Sequence, residues 1–154
     1  MKLYRKLEII EVENRAVIDT NVWVSHVIGG KFYDLVKIAL DYNVVYLYSL
    51  PLIAEIKEVL SREKFAKYDI DSGEFINLFL AISAFSHTEP KFNDCLDPKD
   101  NFLFDLAIQG KAKYLVSGDK RVLETPIESK TLKVVTFTAF KEDLKQNSYL
   151  HVKN

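Results

Sequence analysis

The chain has 154 residues, of which 48% are hydrophobic and 28% charged, and its net charge is −1. This length predicts one domain spanning residues 1–154 with a single core, and the composition argues against disorder and low complexity. No apolar stretch is long enough for a membrane span or a secretory signal, so we expect a cytoplasmic protein, and the single cysteine, Cys95, excludes an intrachain disulfide and a cysteine-cluster zinc site.

Hydrophobic periodicity predicts strands alternating with helices. Residues 1–14 precede the first clear element and are expected to form an arm or an edge strand. The apolar run 16–18 predicts a central strand that is buried on both faces. Further strands are predicted at 44–49, from 85 toward 90, at 114–117 and at 132–136. Helices are predicted at 31–42, 51–60, 71–82, 100–110, 120–123 and 139–145.

Three residues punctuate this pattern in the expected way. Asn43 ends a helix, Pro51 suits the first turn of the next one, and Gly110 is a natural helix C-terminus. Strands separated by helices indicate a parallel sheet that is covered on both faces. The predicted fold class is therefore α/β, a three-layer α/β/α sandwich around a central, mostly parallel five-stranded sheet.

Four carboxylates are predicted to meet at one edge of this sheet. Asp19 and Asp119 each follow an apolar strand directly. Glu55 lies in the first turns of the helix after the second strand, and Asp100 begins the helix before the fourth strand. The carboxyl ends of parallel strands share an edge with the starts of the following helices, and ligands bind there in open α/β sheets. Glu58, one turn from Glu55, leaves the choice of glutamate open.

Each acid also has a simpler interpretation as a turn or capping residue. Asp97, for example, suits a helix N-cap before Pro98, with Asp100 in the first turn. Four like charges in one crevice nevertheless repel one another, and a cation would relieve that repulsion. The histidines show no ligand spacing, so carboxylate oxygens favour Mg²⁺ or Mn²⁺ over zinc. Two such ions would support hydrolysis of a phosphodiester by in-line displacement, although the sequence leaves one and two ions open.

Basic residues flank two of these acids. Lys99, Lys120 and Arg121 could hold substrate phosphates, or they could be ordinary solvated surface charges. Trp23 could stack on an unpaired base, or it could simply pack in the core.

Several segments together resemble the PIN-domain family over about residues 15–140. They are the stretch Val17 to Val22 (VIDTNV), a mid-chain glutamate, DPKDN at 97–101 and LVSGD at 115–119. The likeness is closest to toxin components of toxin–antitoxin systems related to VapC-type toxins. It implies a Mg²⁺- or Mn²⁺-dependent ribonuclease acting on RNA. The metal-binding acids by motif position are Asp19, Glu55, Asp100 and Asp119, with Asn21 and Ser117 in support and Asp97 as a possible additional ligand.

The resemblance also suggests a homodimer, and it leaves open whether an antitoxin partner exists, because members of the family differ in this. Rival enzyme classes fit less well: a haloacid-dehalogenase-like phosphatase needs a second aspartate where Asn21 stands, and Gly29-Gly30 lacks the Gly-Lys-Ser/Thr ending of a phosphate-binding loop. The remaining alternative is a non-catalytic PIN-like module that binds nucleic acid or protein. Sequence specificity and the preference for RNA over DNA are left open.

Overall fold

The structure is a computed structural model, which describes residues 13–68 and 72–153. Its strands are β1 (Asn14–Ile18), β2 (Val44–Tyr48), β3 (Ser83–Phe85), β4 (Tyr114–Val116) and β5 (Lys133–Val135). Its helices are α1 (Thr20–Ile28), α2 (Phe32–Tyr42), α3 (Leu50–Leu60), α4 (Ser72–Ala81), α5 (Asn101–Gln109), α6 (Lys120–Leu123) and α7 (Phe137–Lys153). Two 3-10 helices cover Glu63–Tyr68 and Pro98–Asp100. The arm or edge strand predicted at 1–14 lies outside the described residues except for its last two positions.

The five strands form one sheet in the order β3-β2-β1-β4-β5, and all four neighbouring pairs are parallel. The predicted three-layer α/β/α sandwich is confirmed. From β1 the chain builds the sheet outward through β2 to β3, and then crosses to β4 and β5 on the other side of β1. The order therefore reverses between β1 and β4, and a crevice opens beyond the carboxyl ends of strands at such a point.

The apolar run that predicted a central strand explains why β1 occupies the middle of the sheet. Ala16, Val17 and Ile18 are completely buried, and β-branched side chains suit a strand that is covered on both faces. The strand ends where polar residues begin, at Asp19. Its backbone N–H still donates to the carbonyl of Val116 in β4, at 2.9 Å, so Asp19 is held at the edge of the sheet.

The punctuating residues act largely as predicted. Asn43 ends α2 in the left-handed conformation, with φ of 51°. Pro51 lies in the first turn of α3, which Ser49 caps through its side chain. Gly110 does follow α5, but its φ is −80° and the left-handed residue is Lys111. A glycine suits position 110 because a Cβ there would lie 2.7 Å from the backbone oxygen of Leu106 and 2.5 Å from Cδ1 of Leu47.

Two differences from the predicted elements bear on the site. The first is α1, which follows Asp19 directly although no helix was predicted at 20–28; its buried residues include Val22, Trp23 and Val24, too continuous a run to show a helical period. The second is β3, which lies at Ser83–Phe85 rather than from 85 toward 90. Within residues 13–68 and 72–153, no helix is both long enough and apolar enough to cross a bilayer.

Candidate active site

The two strands on either side of the crevice place Asp19 and Ser117 next to each other. The Ser117 hydroxyl donates a 2.7 Å hydrogen bond to Oδ2 of Asp19, and both residues are buried. Burial is the main cause that raises the pKa of Asp19. Hydrogen bonds from Ser117 and from the backbone of Asn21 oppose this increase, whereas the charges of Glu55 and Asp119 add to it. The hydrogen bond from Ser117 therefore orients the Asp19 carboxylate, and the charges of Glu55 and Asp119 act on it.

Glu55 reaches this edge from the second turn of α3. Its Oε2 accepts a 2.7 Å hydrogen bond from the hydroxyl of Thr20, a buried residue in the first turn of α1. Glu58 instead pairs with Arg62, which follows the end of α3, in an exposed ion pair at 2.9 Å. The structure thus directs Glu55, rather than Glu58, toward the other acids.

The remaining acids come from two segments that are distant in sequence. Asp97, Asp100 and Asp119 each offer a carboxylate oxygen, and these oxygens all lie within 4.8 Å of one another. We call these three residues the acidic cluster. Asp19 and Glu55 are not members of this group, but their charges contribute to the raised pKa of Asp100.

Local capping geometry explains how two members of the cluster are held. Asp97 caps the 3-10 helix before Pro98, since its Oδ1 accepts a 3.2 Å hydrogen bond from the N–H of Lys99. Asp119 caps α6 through Oδ1, which accepts a 2.9 Å hydrogen bond from the N–H of Arg121. The predicted capping roles and a clustered arrangement therefore coexist, because one carboxylate oxygen can cap while the other points elsewhere.

The pKa of the Asp100 carboxyl group is strongly raised. Burial first, and then the charges of Asp19 and Asp97, raise its pKa from 3.8 to about 7, with smaller contributions from Glu55 and Asp119. Among the described residues, none donates a hydrogen bond to its carboxylate. Such a group is crowded by like charges and has free lone pairs, which is the situation that a bound cation relieves.

Arg121 lies across the acidic cluster. One guanidinium nitrogen is 3.1 Å from Oδ2 of Asp97 and 3.5 Å from Oδ2 of Asp119. The charge of Asp97 is the largest cause that raises the pKa of this guanidinium, followed by its contacts with Asp119. Of the three basic residues that flank the acids in sequence, Arg121 is the one that contacts two acids of the cluster, Asp97 and Asp119.

The other predicted site residues lie around this centre. Lys99 and Lys120 are exposed, and Lys120 pairs with Glu124 at 3.8 Å. Asn21 is also exposed, and its side chain makes no hydrogen bond within the described part of the chain. Trp23 is completely buried against Tyr46 and other rings, so it packs in the core and is not available to stack on a base.

Sequence reasoning missed the residues that fix the loop before α5. Thr125 accepts a 3.2 Å hydrogen bond from the N–H of Leu96 and donates a 2.6 Å hydrogen bond to the carbonyl of Arg121, so it joins the two segments of the cluster. Asp105 is buried and accepts from the backbone N–H of Lys91 and Phe92, at 3.0 and 2.7 Å. The sequence does carry a signal for Asp105, because this acid lies among the apolar residues of a predicted helix.

Comparisons with known proteins agree with the fold. A family model described as PIN domain matches residues 15–121, which is more than half of the chain. Among solved structures, the fold is similar to one in the crystal structure of VapBC2 from Rickettsia felis bound to a DNA fragment from their promoter. The TM-score is 0.54 at 15% identity, and the match covers 78% of this chain and 96% of that chain. At this identity the likeness concerns the fold. A comparison with curated proteins gave no match.

Proposed function

The chain belongs to the PIN-domain family, as its motifs predicted, and we propose that it is a Mg²⁺- or Mn²⁺-dependent ribonuclease that cleaves single-stranded RNA. One observation carries the proposal: three carboxylate oxygens from two distant segments lie within 4.8 Å of one another beside two further acids. Capping alone does not explain why the fold concentrates so many carboxylates at the crevice, since like charges at short range destabilise it.

The donor set fits a hard divalent cation. Among the described His, Cys, Asp and Glu side chains, those that cluster closely enough to hold an ion are three aspartates, and oxygen ligands are those that Mg²⁺ and Mn²⁺ prefer. The Asp100 carboxylate also fits, because no hydrogen bond from the described residues stabilises its charge and its pKa is raised. The residues that would hold the ion or ions are Asp19, Glu55, Asp100 and Asp119, with Asp97 in addition.

When bound, the ions would activate water and stabilise the attacking and leaving oxygens of an in-line displacement at phosphorus. The chain's own residues prepare this chemistry. Ser117 orients Asp19, and Thr20 orients Glu55, so two carboxylates are fixed before any ligand binds. Lys99, Lys120 and Arg121 lie at the rim, where positive charge would hold the phosphates of the substrate on either side of the cleaved bond.

Cleavage of a labelled single-stranded RNA in Mn²⁺ or Mg²⁺ tests this proposal. Asp19→Asn and Asp100→Asn should each reduce the rate at least about a hundredfold, because each removes an anionic ligand while preserving shape. Glu58→Gln is the matched control for Glu55→Gln: both lie on α3, but Glu58 is exposed and faces Arg62. Activity that persists in excess chelator, or equal activity in all these proteins, would refute the proposal. RNA binding without turnover would instead favour a non-catalytic binding module.

We further propose that the protein is the toxin of a toxin–antitoxin pair and that it forms a homodimer. The fold likeness to VapBC2, whose crystal structure has it bound to a DNA fragment from their promoter, supports the toxin, whereas the homodimer is proposed from the family resemblance alone. The test is growth of a bacterial host that expresses the wild type or Asp100→Asn. Growth arrest by the wild type alone, relieved by the product of an adjacent small reading frame, supports a toxin, whereas equal growth of both strains contradicts it. Light scattering gives the oligomeric state.

A further inference from the structure

We infer that Arg121 is an internal counter-cation of the acidic cluster, which competes with the divalent ion for Asp97 and Asp119 and is released when the ion binds. This inference rests on the proposed function, because it concerns how the same carboxylates bind their ion. It assigns a regulatory role to a side chain of this protein: Arg121 sets the ion affinity of the site.

The contacts of Arg121 place it on the oxygens that an ion would need. It approaches Oδ2 of Asp97 at 3.1 Å and Oδ2 of Asp119 at 3.5 Å. Oδ1 of each residue is already engaged in capping a helix, by the N–H of Lys99 and by that of Arg121 itself. The oxygens that capping leaves available are thus the ones that the guanidinium occupies, and an ion bound there has to take them from Arg121.

The backbone of Arg121 is fixed, whereas its side chain is free to leave. The N–H of Arg121 donates to Asp119 and its carbonyl accepts from Thr125, so the main chain is held on both sides of the Arg121 Cα. The side chain is 60% exposed, while Asp97 and Asp119 are 17% and 22% exposed. The head group can therefore rotate into solvent without any change in the fold, and the carboxylates remain in place.

Once the Arg121 guanidinium leaves the carboxylates, it can bind a phosphate, which accepts the same kind of hydrogen bond. A phosphate, like a carboxylate, accepts the planar donors of arginine in a bidentate manner. When an ion neutralises Asp97 and Asp119, Arg121 stands at the rim of the site with its donors free to bind a phosphate of the substrate. Ion binding and substrate binding are thereby coupled, and Arg121 contacts phosphate only when the ion is present.

The neighbouring residue, Lys120, provides a matched control. Both side chains are cationic and exposed, and they lie on the same short helix, but Lys120 pairs with Glu124 at 3.8 Å and does not contact the acidic cluster. Arg121→Ala and Lys120→Ala change the net charge equally. A difference in ion affinity between the two variants therefore reports the contact and not the overall field.

The first measurement is calorimetric titration of Mn²⁺ into the RNA-free protein. Arg121→Ala should bind Mn²⁺ roughly three- to tenfold tighter than the wild type, the scale of one or two exposed ion pairs that no longer have to be broken. Lys120→Ala should stay within about twofold of the wild type, and Arg121→Lys should fall between them because a lysine lacks the planar fork. Arg121→Ala binding no tighter than Lys120→Ala would overturn the inference.

The same titration separates this inference from the proposed function. If the wild type and all variants bind no divalent ion, the ion site itself is refuted. If the wild type binds Mn²⁺ and Asp100→Asn does not, the ion site is supported. The ratio of the Mn²⁺ affinities of Arg121→Ala and Lys120→Ala then decides the role of Arg121.

A second readout follows the side chain directly by nuclear magnetic resonance of the arginine Nε–H groups. The chain has four arginines, so the spectrum is simple, and Mg²⁺ is used because it is diamagnetic. The Arg121 signal should shift on saturation with Mg²⁺. The signal of Arg15, whose guanidinium contacts Glu13 and the carbonyl of Gly110, should stay in place. An Arg121 signal that does not move at saturating Mg²⁺ would show that the guanidinium keeps its carboxylates, and would refute its release.

Discussion

Replacing Asp100 by asparagine should stabilise the metal-free protein, even though it removes a residue of the proposed ion site. Burial and four neighbouring acids raise the pKa of Asp100 from 3.8 to about 7. A carboxyl group whose pKa is higher in the folded state favours folding only while it is protonated. Asparagine has nearly the same shape as the protonated acid and carries no charge, so it removes the repulsion at every pH.

The magnitude follows from the displacement of the pKa. One unit corresponds to about 1.4 kcal/mol, so a rise from 3.8 to about 7 corresponds to an upper bound of about 4 kcal/mol. The carboxylate is only partly buried, and solvent screens its neighbours, so we expect about 1–2 kcal/mol. For a protein of this size, that free energy raises the thermal midpoint by about 2–8 °C.

The sign of the pH dependence makes the prediction specific. Below the unfolded pKa of 3.8, Asp100 is protonated in both states and the variant has no advantage. As the pH rises from 3.8 toward about 7, Asp100 ionises in the unfolded chain but stays largely protonated in the folded protein. The wild type therefore loses stability over this range. The advantage of Asp100→Asn therefore grows from pH 4 to its full value at about pH 8.

Thermal unfolding in a chelator measures this effect. Trp23 is the single tryptophan and is completely buried, so its fluorescence reports loss of the core. Asp94→Asn is the control, because Asp94 is an exposed acid a few residues away that is not part of the acidic cluster. An Asp100→Asn variant that gains no stability, that gains equally at pH 4 and pH 8, or that matches Asp94→Asn would refute the reasoning. Added Mn²⁺ should reverse the order, since the wild type binds it more tightly.

Two further predictions concern other parts of the fold. A hydrogen bond from Tyr114, and to a lesser degree Lys133, lowers the pKa of Asp143, so Asp143→Asn should cost about 1–2 kcal/mol at neutral pH in chemical denaturation, and this cost should shrink below about pH 4, where the wild-type carboxylate also becomes protonated. Thr20→Val should weaken Mn²⁺ binding roughly tenfold in calorimetry because Glu55 loses its 2.7 Å hydrogen bond, whereas Thr20→Ser should retain it; equal binding by both variants would contradict this role.

The parts of the fold that could be predicted from the sequence are those that depend on long-range pattern. Alternating apolar strands and helices required a parallel sheet, and the parallel sheet alone determined which acids share an edge. Helix α1 could not be predicted in the same way. It is short and lies where the chain passes from a buried strand into a buried helix, so apolar residues such as Trp23 occur at nearly every position and hide the period.

The same distinction applies within the site. The convergence of Asp19 and Asp119 follows from the sheet, because each follows a strand at the point where the strand order reverses. The position of Asp97 depends instead on a loop, and the hydrogen bonds of Thr125 to Leu96 and Arg121 hold that loop beside α6. Such side-chain to backbone contacts leave no periodic signal in a sequence.

The sequence predicts which helices carry the site residues, but it does not decide between Glu55 and Glu58 on α3 or between Lys120 and Arg121 on α6. Position on α3 restricts the choice to Glu55 or Glu58, and only the hydroxyl of Thr20 across the crevice distinguishes them. Position on α6 likewise leaves Lys120 and Arg121 equivalent, and the contacts of Arg121 with Asp97 at 3.1 Å and with Asp119 at 3.5 Å separate them. In both pairs topology selects the element and a partner from a distant segment selects the residue, so the variants that discriminate between proposals are those that change the partner contact while keeping charge and helix position the same.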